Sequence, residues 1–296
     1  MIVATPAIAT RLASHGRAVD KALDRYLPTA VTLPSRVHEA MRYSIFGGGK
    51  RLRPGLAILA CEALGGKRAT AMPAACALEM IHSYSLIHDA LPSMDDDDFR
   101  RGRPSCHRAF DEATAILAGD ALQAAAFGTI ARHVRRPALA AALVAELASA
   151  AGSLGMVGGQ VLDLEGSSRT DAGSLERIHL MKTAAMFRAA ARMGALAAGA
   201  PPAGVNRIGG YGERLGLAFQ IVDDILDISG AARDLGKTPG KDSAQDKATY
   251  PALFGLEESR RRAEALMRRA IGAISGLKAK GRHLRELAEY VVARTR

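Results

Sequence analysis

Residues 81–103 read IHSYSLIHDALPSMDDDDFRRGR. The stretch opens as the second half of an apolar helical pattern that begins at residue 74 (AACALEMIHSYSLIHDA). Pro92 is expected to end or kink that helix, since its ring clashes with the preceding turn and it has no backbone donor. Beyond it stand Asp95, Asp96, Asp97 and Asp98, with Asp89 before them and Arg100, Arg101 and Arg103 after. His82 and Asp89 are seven residues apart, so a helix puts them on one face with Ser85 and Leu86 between. An acidic run is ordinarily a solvated face. Here opposite charges adjoin, which suits a different task. Magnesium keeps oxygen ligands from one or two carboxylates plus substrate phosphates, and guanidiniums grip the same phosphates directly.

A second acidic site lies in LGLAFQIVDDILDIS, residues 215–229. Asp223 and Asp227 fall at i and i+4 on one helical face, where like charges repel. Apolar residues flank them on both sides, unlike a solvated face. A cation near the carboxylates makes such a pair tolerable. Upstream, GGGKRLRP (residues 47–54) allows close backbone approach at three glycines and then presents Lys50, Arg51 and Arg53. It is not a nucleotide-binding P-loop, because Arg51 stands where Ser or Thr is required. Weaker signals are Lys182 and Thr183 in HLMKTAAMF, Gln160 and Asp163 in GGQVLDL, Gln220, and Lys237, Lys241 and Lys247 in a Gly/Lys/Asp-rich stretch.

The rest of the chain agrees with a helical reading. Alanine-rich runs recur, aromatics make up 4% and Trp is absent; Ala and Leu with little β-branching favour helix over sheet. Pro54 and Gly65–Gly66 bracket GLAILACEAL as a helix start and stop. Further helical patterns cover residues 113–134, 137–152, 174–199, 207–229 and 255–274. No stretch alternates with period two, and residues 230–251 form the one long irregular segment, of the kind that is usually functional or disordered. The 296 residues are therefore expected to form a single all-α domain, a large helical bundle. Net charge +10 predicts an anionic partner. Nucleic acid is disfavoured because the basic residues are not interleaved with aromatics and no binding motif occurs. The three cysteines show no metal spacing, and neither a signal peptide nor a membrane span is expected, which predicts a cytoplasmic protein.

The motifs GGGKRLRP, SLIHDALPSMDDDDFRRGRPSCH, AILAGDALQ, GGQVLDL, HLMKT, GLAFQIVDDILD, LGKTPGKD and KATYPAL, in that order, resemble the trans-isoprenyl diphosphate synthases, and most of all the bacterial farnesyl diphosphate synthases. The resemblance runs from roughly residue 40 to the end. It implies a helical bundle around a deep central cavity, a homodimer, and magnesium as cofactor, with three ions bridging the allylic diphosphate. It also implies roles. Lys50, Arg53, His82 and Arg101 would bind isopentenyl diphosphate. Arg100, Lys182, Thr183, Gln220 and Lys237 would meet the allylic diphosphate. Asp89, Asp95, Asp223 and Asp227 would hold metal, and Asp89, Asp95, Arg100, Lys182, Asp223 and Lys237 would carry the catalysis. Lys247, Arg294 and Arg296 would help close the mouth. Tyr84, five positions before Asp89, and Ser85 would limit chain length, and Tyr84 with the insertion Pro92–Ser93 looks like a C15 terminator.

One position departs from the family. Its first motif is DDxxxxD, and Ala90 replaces the middle Asp. The missing group is expected to act behind the metal ligands, where partners are worth about 10–100-fold in affinity or activity. An active, weakened enzyme is the expectation. The alternatives are a geranylgeranyl diphosphate synthase and a non-catalytic partner subunit, although Arg100, Arg101, Lys182 and Asp223 are all retained. A terpene cyclase fits less well, since DDILD replaces the Asn/Ser/Glu motif of that class.

Overall fold

The computed structural model describes residues 6–166, 170–228 and 248–293. Its helices are α1 (Pro6–Tyr26), α2 (Ser35–Ile45), α3 (Leu52–Ala63), α4 (Arg68–Asp89), α5 (Cys106–Ala109), α6 (Glu112–His133), α7 (Pro137–Ala151) and α8 (Met156–Glu165). Then follow α9 (Ala172–His179), α10 (Ala185–Ala197), α11 (Pro202–Ile228), α12 (Tyr250–Phe254), α13 (Leu256–Ala273) and α14 (Arg282–Ala293). The all-α expectation holds.

The helices α3, α4, α10 and α11 make the centre. On α3, residues Pro54 to Cys61 are buried without interruption, so this helix is apolar all round and packs on every side. On α4, Ala74 to Ile81 are likewise buried. The largest fully buried side chains include Tyr211, Phe187, Leu56 and Leu78; each such apolar side chain contributes about 1.5–3 kcal/mol by leaving water. Tyr211, on α11, donates its hydroxyl to the Leu284 carbonyl at 2.6 Å and so ties α14 to the core. Pro73 is the sixth residue of α4, so the helix begins before the proline rather than after it, where the apolar pattern starts at residue 74.

Two local structures were not foreseen. Phe99–Arg100 and Arg103–Pro104 form a minimal antiparallel hairpin. Its turn residues, Arg101 (φ 55°) and Gly102 (φ 72°), are both left-handed, as a type I′ turn demands. And between α9 and α10 the chain widens into a π turn, Leu180–Ala184, where an uninterrupted α-helix was expected.

Helix α6 and the stretch 137–165 are long and apolar enough to span a membrane by composition. The first, however, buries Ala115, Ala118, Leu122, Ala126 and Ile130 inside the bundle. The second is broken between Ala151 and Met156. Both pack within the bundle.

Candidate active site

Helix α4 ends at Asp89, with Ala90 as its buried cap residue in right-handed conformation. The chain then folds back on that end. The Asp95 amide donates to the Asp89 carbonyl at 2.8 Å, Asp96 to that of Leu91 and Asp97 to that of Ala90, both at 3.1 Å. These bonds satisfy carbonyls that a helix end leaves open, and they bring Asp95 back beside Asp89. The hairpin then returns Arg100 to the same place: its guanidinium lies 3.4 Å from Asp95 Oδ2 and pairs closely with Asp97. Asp97 is therefore drawn into the cluster as supporting charge. Asp98 does behave as surface, pairing with Arg108 at 3.0 Å.

Asp89 is half-buried, and desolvation pushes its carboxyl above the usual range; Lys182 pulls it down, Asp95 pushes it up, and Arg100 and Asp163 act within the same neighbourhood. Lys182 comes from the π turn, and its Nζ bonds Asp163 Oδ2 at 2.7 Å. Helix α8 reaches this turn because residue 159 is glycine: a Cβ there would lie 2.2 Å from the Lys182 amide nitrogen. The GGQVLDL motif thus places one carboxylate on one lysine. Its Gln160 is buried with neither amide atom hydrogen-bonded among the described residues, an expensive state unless a further group completes it.

The second acidic helix behaves differently. Asp224 is buried and points its oxygens at protein donors, accepting from Gln220 Nε2 and from the Tyr250 amide, each at 3.0 Å. Since a carboxylate only accepts, this fixes the Gln220 amide, whose Oε1 accepts from the Thr183 hydroxyl at 2.8 Å. Asp223 and Asp227 lie half-buried on the neighbouring face, and Asp227 Oδ2 is a buried atom without a hydrogen-bond partner among the described residues. His179 Nε2 comes within 3.7 Å of Asp224. Burial lowers its pKa to about 4, so the imidazole is neutral and the contact is not an ion pair.

The basic cluster faces both acids. Arg53 approaches His82 Nε2 at 3.4 Å and lies over the Phe187 ring at 4.9 Å. Burial lowers its pKa to about 10, against the pull of Glu79 and Asp223. Arg101 meets the Gly48 carbonyl, which brings the hairpin turn onto the glycine loop. Lys50 is exposed on that loop. Tyr84 is buried and packs edge-on against His88, with ring centroids 5.7 Å apart. Lys237, Lys241, Lys247, Arg294 and Arg296 lie outside the described residues. A cavity behind the hairpin is lined by Tyr43, Ser83, Leu86, Arg100, Arg103 and Cys106 among others. It includes neither Asp89 nor Asp223 and is not the place where the acids face the bases.

Among the described residues no three His, Cys, Asp or Glu side chains converge closely enough to cage a metal by themselves. The donor set still suits magnesium. It is all-oxygen, it includes an acid whose carboxyl is pushed up by desolvation and a buried carboxylate oxygen, Asp227 Oδ2, without a hydrogen-bond partner among the described residues, and magnesium commonly completes its octahedron with waters and substrate phosphates.

A family profile described as Polyprenyl synthetase matches residues 34–289. The chain is 49% identical over 285 residues to the heterodimeric geranylgeranyl pyrophosphate synthase large subunit 1 of Arabidopsis thaliana, covering 93% of this chain and 76% of that protein. Among solved structures, an FPP/GFPP synthase from Zymomonas mobilis superposes with TM-score 0.87 at 38% identity, covering 98% of this chain and all of that one (100%). A geranyltransferase from Helicobacter pylori, complexed with magnesium and isoprenyl diphosphate, superposes with TM-score 0.84 at 28% identity, covering 99% and 98%. Those matches span the same segments that carry the acidic and basic clusters, and the chain belongs to the polyprenyl synthetase family, the trans-isoprenyl diphosphate synthases, whose members are prenyltransferases acting on isoprenyl diphosphates.

Proposed function

We propose that this prenyltransferase joins isopentenyl diphosphate head-to-tail to dimethylallyl or geranyl diphosphate and releases farnesyl diphosphate. The observation that carries the reading is the opposition of half-buried Asp89 to Lys182 and Arg100, beside a helix presenting Asp223 and Asp227. Arg100 and Lys182 are held by carboxylates, Asp95, Asp97 and Asp163. An arriving allylic diphosphate takes the place of those carboxylates as their counter-ion. Asp89 and Asp95 on one side, and Asp223 with Asp227 on the other, would hold magnesium, which supplies the positive charge that stabilises the departing diphosphate. The guanidinium and ammonium then oppose the charge growing on the leaving oxygen. The allylic C–O bond breaks, the isopentenyl double bond attacks the cation, and the proton lost in forming the new alkene goes to the released diphosphate. No side chain is assigned as base. Apolar neighbours such as Phe187 and Tyr84 keep water from the cation.

The C15 product rests on Tyr84, a bulky buried side chain on the helix that ends at Asp89. A second reading, geranylgeranyl diphosphate, is favoured by the product named for the Arabidopsis relative. Chromatography of the products from each starter with Mg²⁺ separates the two. A homodimer is also proposed, supported by the exposed apolar pair Ile116 and Leu117 on α6, and sedimentation of the purified chain tests it. The free, buried cysteines Cys61, Cys76 and Cys106 suit a reducing, cytoplasmic setting.

A further inference from the structure

Glu79 belongs to none of the functional motifs, yet it is the most buried carboxylate near the site, 2% exposed, on α4 ten residues before Asp89. Arg51 Nη1 donates to its Oε1 at 2.5 Å, and Arg101 Nη2 lies 3.7 Å from the same oxygen. The rest of the Arg51 fork is spent inside the protein, Nε on Asp20 at 2.8 Å and Nη2 on the Ile45 carbonyl at 2.6 Å. Each nitrogen of Arg51, the middle cation of GGGKRLRP, is therefore already engaged within the protein, and its side chain is buried. Its neighbours Lys50 and Arg53 have a different task.

The two arginines around Glu79 share a peculiarity. Both are non-glycine residues in left-handed conformation, with φ 47° at Arg51 and 55° at Arg101, a region that costs energy unless surroundings enforce it. Both guanidiniums converge on one carboxylate. Between them lies the glycine loop: Arg101 donates to the Gly48 carbonyl, and a Cβ at Gly49 would come within 2.8 Å of Arg101 Cζ. Burial and the nearby cations Arg51 and Arg100 disfavour charge on Arg101, and Glu79 favours it.

We propose that Glu79 is a positioning residue for the isopentenyl diphosphate subsite, fixing Arg101 directly and, through Arg51, the loop that carries Lys50 and the start of α3 that carries Arg53. The inference rests on the reading that Lys50, Arg53, His82 and Arg101 take that substrate. Without the anion, the buried Arg51 and the half-buried Arg101 lose the carboxylate they share and the loop loses its anchor. Binding must then supply the order that Glu79 supplies in advance. Of the allylic subsite, Arg100 neighbours Arg101 but is held by Asp95 and Asp97, while Lys182 and Gln220 are bonded outside this network.

The test is steady-state kinetics of the full chain with Mg²⁺, varying each substrate while the other saturates. Glu79→Gln is expected to raise KM for isopentenyl diphosphate about tenfold, equivalent to about 1.4 kcal/mol, with KM for geranyl diphosphate within twofold. Arg101→Gln checks the underlying reading. If it leaves the isopentenyl KM unchanged, the assignment of the subsite fails. If it raises that KM and Glu79→Gln does not, only the role of Glu79 fails. Equal rises in both KM values, or a change in kcat alone, also overturn the proposal, since a merely structural residue would give them. Should Glu79→Gln not fold, the double variant Glu79→Gln/Arg51→Gln removes both buried charges together. It is expected to keep the raised isopentenyl KM, because Arg101 still lacks its anion. A return to the wild-type KM would overturn the proposal.

Discussion

The two carboxylate-bearing helices reach the same site by different means. On α11 the acids sit inside an unbroken helix, so helical geometry alone sets Asp223 and Asp227 on one face and turns Asp224 inward to the Gln220 and Tyr250 donors. On α4 the helix stops at Asp89, and Asp95 returns only because backbone bonds to Asp89, Ala90 and Leu91 fold the loop back and Arg100 gathers the acids. One acidic face is written in periodicity, the other in a loop and a hairpin. The α11 face should therefore tolerate change at its neighbours and fail at its ligands. The α4 face should be adjustable.

The comparison breaks most severely at the ligands. Asp223→Asn is expected to lower kcat by about 10²–10³-fold, the scale of losing one preorganised electrostatic contact, with little loss in Tm because it removes one of two like charges on the same helical face. A large drop in Tm with modest loss of kcat would make Asp223 structural. On the α4 side, Ala90→Asp restores the family pattern at a buried cap position, and Mg²⁺ affinity in a metal titration should rise about tenfold. An unchanged titration would mean the loop has compensated for the missing acid.

Tyr84→Ala sharpens the α4 account further, shifting output from C15 to longer chains in a product assay. Unchanged C15 output would refute the role of Tyr84. The smallest effect is on stability. His179, which stacks on Tyr250 beside Asp224, has its pKa lowered from 6.5 to about 4 by burial. Between these values the unfolded chain binds a proton that the folded chain does not, so stability rises with pH across that window. The amount is about 3 kcal/mol at most. His179→Gln should flatten that part of a Tm-versus-pH curve, and an unaltered slope would assign it to other groups.

The helices were legible because long 3.6-residue periodicity dominates this chain, and the acidic residues on α11 were legible for the same reason. What escaped depends on contacts across the fold. The π turn at Lys182 reflects how α8 packs on it through Gly159, although the paired glycines of GGQVLDL were a visible signal. The hairpin has two residues per strand, too few to show alternation; only the Arg-Gly turn hinted at it. Arg51 reads as one more cation in a basic run, and nothing local distinguishes it from Lys50 and Arg53. Its separate role appears only when Glu79, 28 positions on, is seen to meet it. Asp97 and Asp224 look like their neighbours in sequence and differ through the donors that tertiary packing brings to them.

The central claim is that both faces act together on one diphosphate despite Ala90. The most direct measurement is Mg²⁺-dependent turnover of the native chain and the Ala90→Asp variant with isopentenyl and geranyl diphosphates, with substrate binding followed in parallel. The account predicts condensation by both proteins, faster in the variant and abolished by chelating the metal. Two inactive proteins that still bind both substrates would contradict it.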